Sequence, residues 1–439
     1  MFRNYQEIFS LPGALKFSLA GLIARFPIAI LGLGVVLFIQ GVLGTYALAG
    51  LVAAVFMLVQ AVSNPIIARL VDIYGQARVM LPIVGIHIIG LIGLLLAVFQ
   101  GWWIGFVFIF AGISGATVGS LGSLVRARWN AIITSRKQLD TAFSWESVAD
   151  EMLFVTGPMI VTFLATVIYP AAGIIASMVT TVVGSALFYS QKSTEPIPQP
   201  RQRGAARGKV LSNFGIFMVV IAHAVLGVKF GALDIIAVAF AEEAGHKPMA
   251  GVLVSAMALG SLLAGIFYGV RTWKAPVQRR LAIALSCLAA LTWPMLLASS
   301  MLAFGITIFT VGLALAPSLI AAASVIQELA PPHRLTEALA WIGTSLGLGV
   351  AIGSAISGVV IDTLGAREAL ILPAVCATLA ALLAIAFNRQ MDPATRSHAA
   401  RQNRTVINTI TDADSENGDG GHADGSEVAG DDDAASAQS

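Results

Sequence analysis

Ionisable side chains are scarce in this sequence, and several stand inside long apolar runs. Glu146 and Asp150 lie four residues apart in "FSWESVADEMLFVTGP" (143–158), with Glu151 beside them and deeper in the run. At that spacing two carboxylates share one face of a helix. Facing a cavity, such a pair can hold a proton or a cation; its rival role is to pair with Arg126 or Arg128 just upstream. Arg25 falls in the middle of the first apolar run, two residues before Pro27, which removes a backbone donor and can kink a helix. His223, Lys229 and Asp234 share a later run. Histidine titrates near neutrality when unperturbed, although a lone helical histidine is more often a packing residue. Lys229 and Asp234 are five residues apart and share a helical face poorly, which leaves each to a different partner. An ionised group in hydrocarbon costs about 2.5–3.5 kcal/mol. Each therefore needs a partner or a cavity, and Arg25 is either a structural ion pair or a cavity-facing cation.

The chain that must position these groups is unusually oily. Of its 439 residues, 57% are hydrophobic and 11% charged, and its mean hydropathy is +0.84. Soluble domains carry nearer a quarter of charged residues, so this composition cannot cover soluble surfaces. Twelve runs are long enough to cross a bilayer core of about 20 apolar residues per helix. They lie at roughly 17–38, 43–66, 79–99, 102–124, 148–169, 171–190, 214–240, 249–270, 281–299, 301–325, 338–362 and 368–387. The polar gap "QKSTEPIPQPRQRGAARGKV" divides them six and six. The expected organisation is an N-terminal segment (1–16), a six-helix half (17–190), a linker (191–210), a second six-helix half (211–388) and a tail (389–439). The fold class is thus all-α integral membrane protein. Gly115/Gly119, Gly343/Gly347 and Gly349/Gly353 have the spacing of close helix packing.

Charge sets an orientation. The formal net charge is +2, but nine acids lie between Asp412 and Asp433, and the remaining 26 basic and 15 acidic residues leave +11. Lys and Arg gather before the first run, after each even-numbered run and in the linker, which by the positive-inside rule places both termini and the linker in the cytoplasm. The same rule, rather than nucleic acid, accounts for the basic body. The acidic, Gly- and Ser-rich tail cannot bury a core and is expected to be disordered. Cys287 and Cys376 sit in apolar runs as small buried hydrophobes, without disulfide or metal spacing.

Between the second and third runs stands "NPIIARLVDIYGQAR" (64–78), with Arg69, Asp72 and Arg78 around Gly75. Asp72, Gly75 and Arg78 resemble the loop signature of the major facilitator superfamily, in which a glycine, an aspartate, a second glycine and basic residues follow in order. Ala68 stands where that signature begins with glycine, and Ile73 replaces the arginine after the aspartate. "GIFYGVRTWKAPVQRR" after the eighth run is similar to a degenerate second copy, and "GTSLGLGVAIGSAISGVVIDTLG" (343–365) resembles the family's eleventh span. The resemblance covers about residues 10–390 and implies two pseudo-symmetric halves around a central cavity. It also implies that Asp72 latches the cytoplasmic side by facing the positive end of a helix from the other half. The alternative is a loop whose charges only set orientation.

Enzymatic signatures are missing: no HExxH, Walker A or GxSxG occurs, and Gly347-x-Gly349 lies inside an apolar run with no strand before it. The expected function is that of a secondary transporter in the cytoplasmic membrane, a monomer without cofactor or metal, moving a small amphipathic molecule. Efflux coupled to H⁺ is the leading expectation; uptake of a metabolite, a receptor or a membrane-embedded enzyme are the alternatives. The cavity is expected between spans one, four, five, seven, ten and eleven, with few Asn or Gln, and Phe26, Met152, Phe154 and Phe230 are candidate lining residues. Glu151 or Asp234 is expected to carry the proton, with Arg25 responding across the interface from Asp234.

Overall fold

A computed structural model describes residues 2–119, 121–198, 210–271, 273–330 and 335–391. Most of the linker and the acidic tail lie outside the described residues. Where the backbone crosses hydrocarbon it has no water to bond to, so each crossing satisfies its own N–H and C=O groups as a helix. The described residues form α1 (Phe2–Phe9), α2 (Ala14–Leu43), α3 (Tyr46–Tyr74), α4 (Gln76–Phe99), α5 (Ile104–Ala116), α6 (Leu121–Ile132), α7 (Arg136–Phe163) and α8 (Ala172–Tyr189). The second half follows as α9 (Phe214–Glu243), α10 (Ala250–Val270), α11 (Val277–Thr292), α12 (Met301–Leu329), α13 (Leu335–Leu364), α14 (Ala366–Ala369) and α15 (Ile371–Ala386). These supply twelve candidate membrane spans, with α5 and α6 sharing one and α14 and α15 another. Strands are absent among the described residues.

Several helices outrun their apolar cores. α3 continues to Tyr74, so Asp72 is a helical residue rather than a loop residue, and α7 starts at Arg136, well ahead of Glu146. The expected loop between spans two and three is a single turn at Gly75, whose φ of 94° favours a residue without Cβ. Small residues let helices touch backbone to backbone. A Cβ on Gly349 or Gly353 would stand 1.9 or 2.0 Å from the carbonyl oxygens of Ala224 or Val228 on α9, so this pair packs as its spacing suggests. The other two pairs differ. Gly115 meets Phe56, but Gly119 ends the break in the fourth span at φ 69°; Gly347 touches Ala61, but Gly343 faces open space. Cys376 is buried, whereas Cys287 is exposed, contrary to expectation.

The halves meet along α3 against α13 and α7 against α10. These are close backbone contacts: a Cβ at Gly50 would lie 2.2 Å from the Ser354 carbonyl oxygen, and one at Gly251 2.2 Å from that of Pro158.

Candidate functional site

Around Arg25 the first half builds a charge network. α2 carries Arg25 inward, 2% exposed, where its Nη2 donates to Glu146 Oε2 and its Nη1 to Asp150 Oδ1 at 2.7 Å. Glu146 is wholly buried, and its other oxygen accepts from Ser18 Oγ and Trp129 Nε1, both at 2.8 Å. Trp145 Nε1 in turn donates to Ser18 Oγ at 2.9 Å. Asp150 is 27% exposed, and its Oδ2 accepts from Arg126 Nη2 at 3.0 Å. Two cations thus face two anions, and burial falls steadily from Glu146 towards Arg126, 36% exposed. The buried end meets the rule that charges away from water be paired and hydrogen-bonded. The open end reaches a cavity of about 310 Å³ lined by Arg25, Gln60, Asn64, Arg126, Asp150 and Phe154 among others.

This geometry corrects several expectations. The span-five carboxylates take Arg25 of span one as their main partner, and Arg126 joins only Asp150. Arg128 lies elsewhere: it donates to Gln76 Oε1 (2.9 Å), the Gln191 carbonyl (2.9 Å) and Thr194 Oγ1 (3.0 Å), over the Phe188 ring. Arg25 therefore answers to Glu146 and Asp150, not Asp234. Span two also lines the cavity, through Gln60 and Asn64, and Asn64 Oδ1 is buried without a hydrogen bond. Both amides stand out in the sequence as polar residues one turn apart in an apolar run, and that spacing is the signal that marks them. Of the expected apolar residues, Phe154 lines this cavity. Glu151 is half-buried one residue from Asp150, with no hydrogen bond or ion pair among the described residues.

The groups of α9 lie apart from that cavity. His223 is buried, its Nδ1 3.1 Å from the Val219 carbonyl and its Nε2 unpartnered. Lys229 is fully buried, and its Nζ has no hydrogen-bond partner among the described residues; the Phe230 ring lies 5.6 Å away. Asp234 is half-buried and forms no ion pair with it.

At the end of the bundle away from the basic loops, side chains join the halves. Asp362 accepts from the backbone N–H groups of Tyr46 (3.0 Å) and Ala47 (2.7 Å). Glu242 accepts from Gln40 Nε2 at 2.8 Å, from Lys247 Nζ at 2.9 Å and from the Tyr46 hydroxyl. At the opposite end, Arg69, Asp72 and Arg78 are exposed. Arg69, Asp72 and Gly75 line an open cleft of about 750 Å³ with Pro198.

No curated protein matches the chain by sequence. Solved structures share its fold. The nucleoside transporter NupG aligns at 14% identity and TM-score 0.67, over 86% of this chain and 98% of that one. A bacterial homologue of the iron transporter ferroportin, in an inward-facing state, aligns at 15% and 0.65, over 85% and 98%. PepTSo, a POT family transporter, aligns at 13% and 0.67, over 86% and 97%. A family profile described as Major Facilitator Superfamily matches twice, at residues 17–231 and 216–416, once for each half. Twelve apolar helices in two halves, one of them holding a balanced charge network that opens on a cavity, are thus the body of a multi-pass membrane protein that belongs to the major facilitator superfamily.

Proposed function

We propose that this protein exports a small amphipathic molecule across the cytoplasmic membrane by alternating access, driven by protons and working as a monomer. The basic loops, both termini and the linker would be cytoplasmic, and this state would then open inward. One observation carries the reading: the Arg25–Glu146–Asp150–Arg126 network ends on a cavity while the halves are joined at the far end. Asp150 is the carboxylate of the network that lines the cavity, which suits a group that exchanges a proton for substrate. Protonation would release Arg126, whose partner among the described residues is Asp150. Phe154, one turn further along α7, and the Gln60 and Asn64 amides would take the apolar and polar parts of the cargo. Asp72 would act as the latch of the cytoplasmic side when that side closes.

Purified protein in liposomes, loaded with fluorescent amphipathic dyes of either charge, tests this. A dye is expected to move against its gradient when a pH gradient is imposed, and the movement is expected to stop when the gradient is collapsed. Dye accumulation indifferent to pH would reject proton coupling, and an absence of movement across the panel would reject an amphipathic cargo. Cysteines at Gln199 and Asp419 are expected to escape an impermeant thiol reagent in intact cells; labelling at both would reverse the orientation.

A further inference from the structure

Asp72 has a structural counterpart at the other end of the molecule. α3 ends in Asp72-x-x-Gly75 and α13 ends in Asp362-x-x-Gly365. Both glycines close their helix in the same way. Gly75 N–H donates to the Val71 carbonyl at 2.8 Å with φ 94° and ψ 157°; Gly365 N–H donates to the Ile361 carbonyl at 2.9 Å with φ 104° and ψ 167°. In both cases a glutamate from a neighbouring segment caps the helix that follows. Glu195 Oε1 accepts from Ala77 N–H at 2.8 Å, and Glu243 Oε1 accepts from Ala366 N–H at 2.7 Å, one residue nearer its glycine. The two turns differ in what their aspartates hold. Asp362 takes two N–H groups in the first turn of α3, a helix of the other half, whereas Asp72 is exposed with no hydrogen bond among the described residues.

A helix N-terminus carries unsatisfied N–H groups and about half a positive charge, so a carboxylate placed there is held by both. α3 and α13 pack against one another between the halves, with the C-terminus of each at an opposite end of the bundle. The aspartate that closes one helix therefore stands near the start of its partner, at one end or the other. We propose that Asp362-x-x-Gly365 is the second latch of the transport cycle, reciprocal to Asp72. With the end opposite the basic loops closed, Asp362 caps α3 and Asp72 is free. When that end opens, Asp362 lets go and Asp72 caps the start of α13. Only one cap forms at a time, because α3 and α13 must rock apart at one end to close at the other. Glu195 and Glu243 are positioning residues that hold each turn in shape. This rests on the alternating-access reading above.

The test reads accessibility rather than flux. Ala49 is fully buried on α3, between Tyr46 and Gly50, whose backbones abut α13. In a full-length background with Cys287→Ser and Cys376→Ala, Ala49→Cys reports opening of that end to a bulky maleimide in nanodiscs. Asp362→Asn is expected to raise the labelling rate roughly five- to thirty-fold, the factor that loss of one such interaction gives. Asp362→Ala, which also removes the amide oxygen through which Asn can still accept, is expected to raise it at least as much. Adding Asp72→Asn to Asp362→Asn is expected to bring the rate back towards the parent, because the competing cap is then lost too. A labelling rate unchanged by Asp362→Asn, or no reversal by Asp72→Asn, overturns the proposal. Labelling needs no substrate, so a failure of the dye experiment leaves this result standing, and a failure here leaves that one standing.

Discussion

Arg25 and Lys229 are both buried cations on the first crossing of their respective halves, and they are treated in opposite ways. Arg25 meets two carboxylates and reaches a cavity, whereas Lys229 forms no ion pair or hydrogen bond among the described residues and lines no part of that cavity. The first half therefore neutralises its charge and connects it to a cavity lined by its own helices. The second keeps an unpaired amino group inside its own packing, near Asp234 and Cys376. Two halves with one architecture have thus diverged in chemistry, and the paired charge network belongs to the first.

The largest effect is expected where that difference is removed. Arg25→Met strands a wholly buried Glu146 carboxylate, at a cost of roughly 3–5 kcal/mol. Thermal unfolding in detergent should show this as a large fall in midpoint, and proteoliposome flux should vanish. Arg25→Lys should recover stability better than transport, since one ammonium cannot bridge two carboxylates as the guanidinium fork does.

Lys229→Met probes the other half and should act in the opposite direction. Replacing an unpartnered buried amino group by an apolar chain of similar length should stabilise the protein by roughly 1–3 kcal/mol. Transport should persist, because the residue lies outside the network. A variant that is more stable yet silent would give Lys229 a part in the cycle and erase the contrast between the halves.

The smallest effect on stability, and the sharpest on coupling, is expected at Asp150. With Asp150 and Arg126 both partly exposed, Asp150→Asn should cost roughly 0–1 kcal/mol beyond the lost Arg25 contact. Uphill dye movement should nonetheless be lost while downhill movement continues. Glu151→Gln, one residue away but unpaired, should leave both intact. If Glu151→Gln uncouples and Asp150→Asn does not, the proton site is misassigned.

The twelve crossings were legible in the sequence because hydrophobic length along one chain is a one-dimensional property, and a bilayer demands it of every crossing. The Gly75 turn and the alternation of basic segments were legible for the same reason: local backbone conformation and local charge decide them. Helix ends are not legible where polar residues such as Asp72 continue a helix beyond its apolar core. Which charges meet could not be read. Arg25 pairs with residues 121 and 125 positions away, and Asp362 with backbone 315 and 316 positions away. In a helix that is apolar nearly all round, no periodicity marks the face turned to a neighbour, so the rotation that brings Arg25 to Glu146 and leaves Lys229 alone is set by how the helices pack. Hydrophobicity chose the number of helices, and their packing chose the partners.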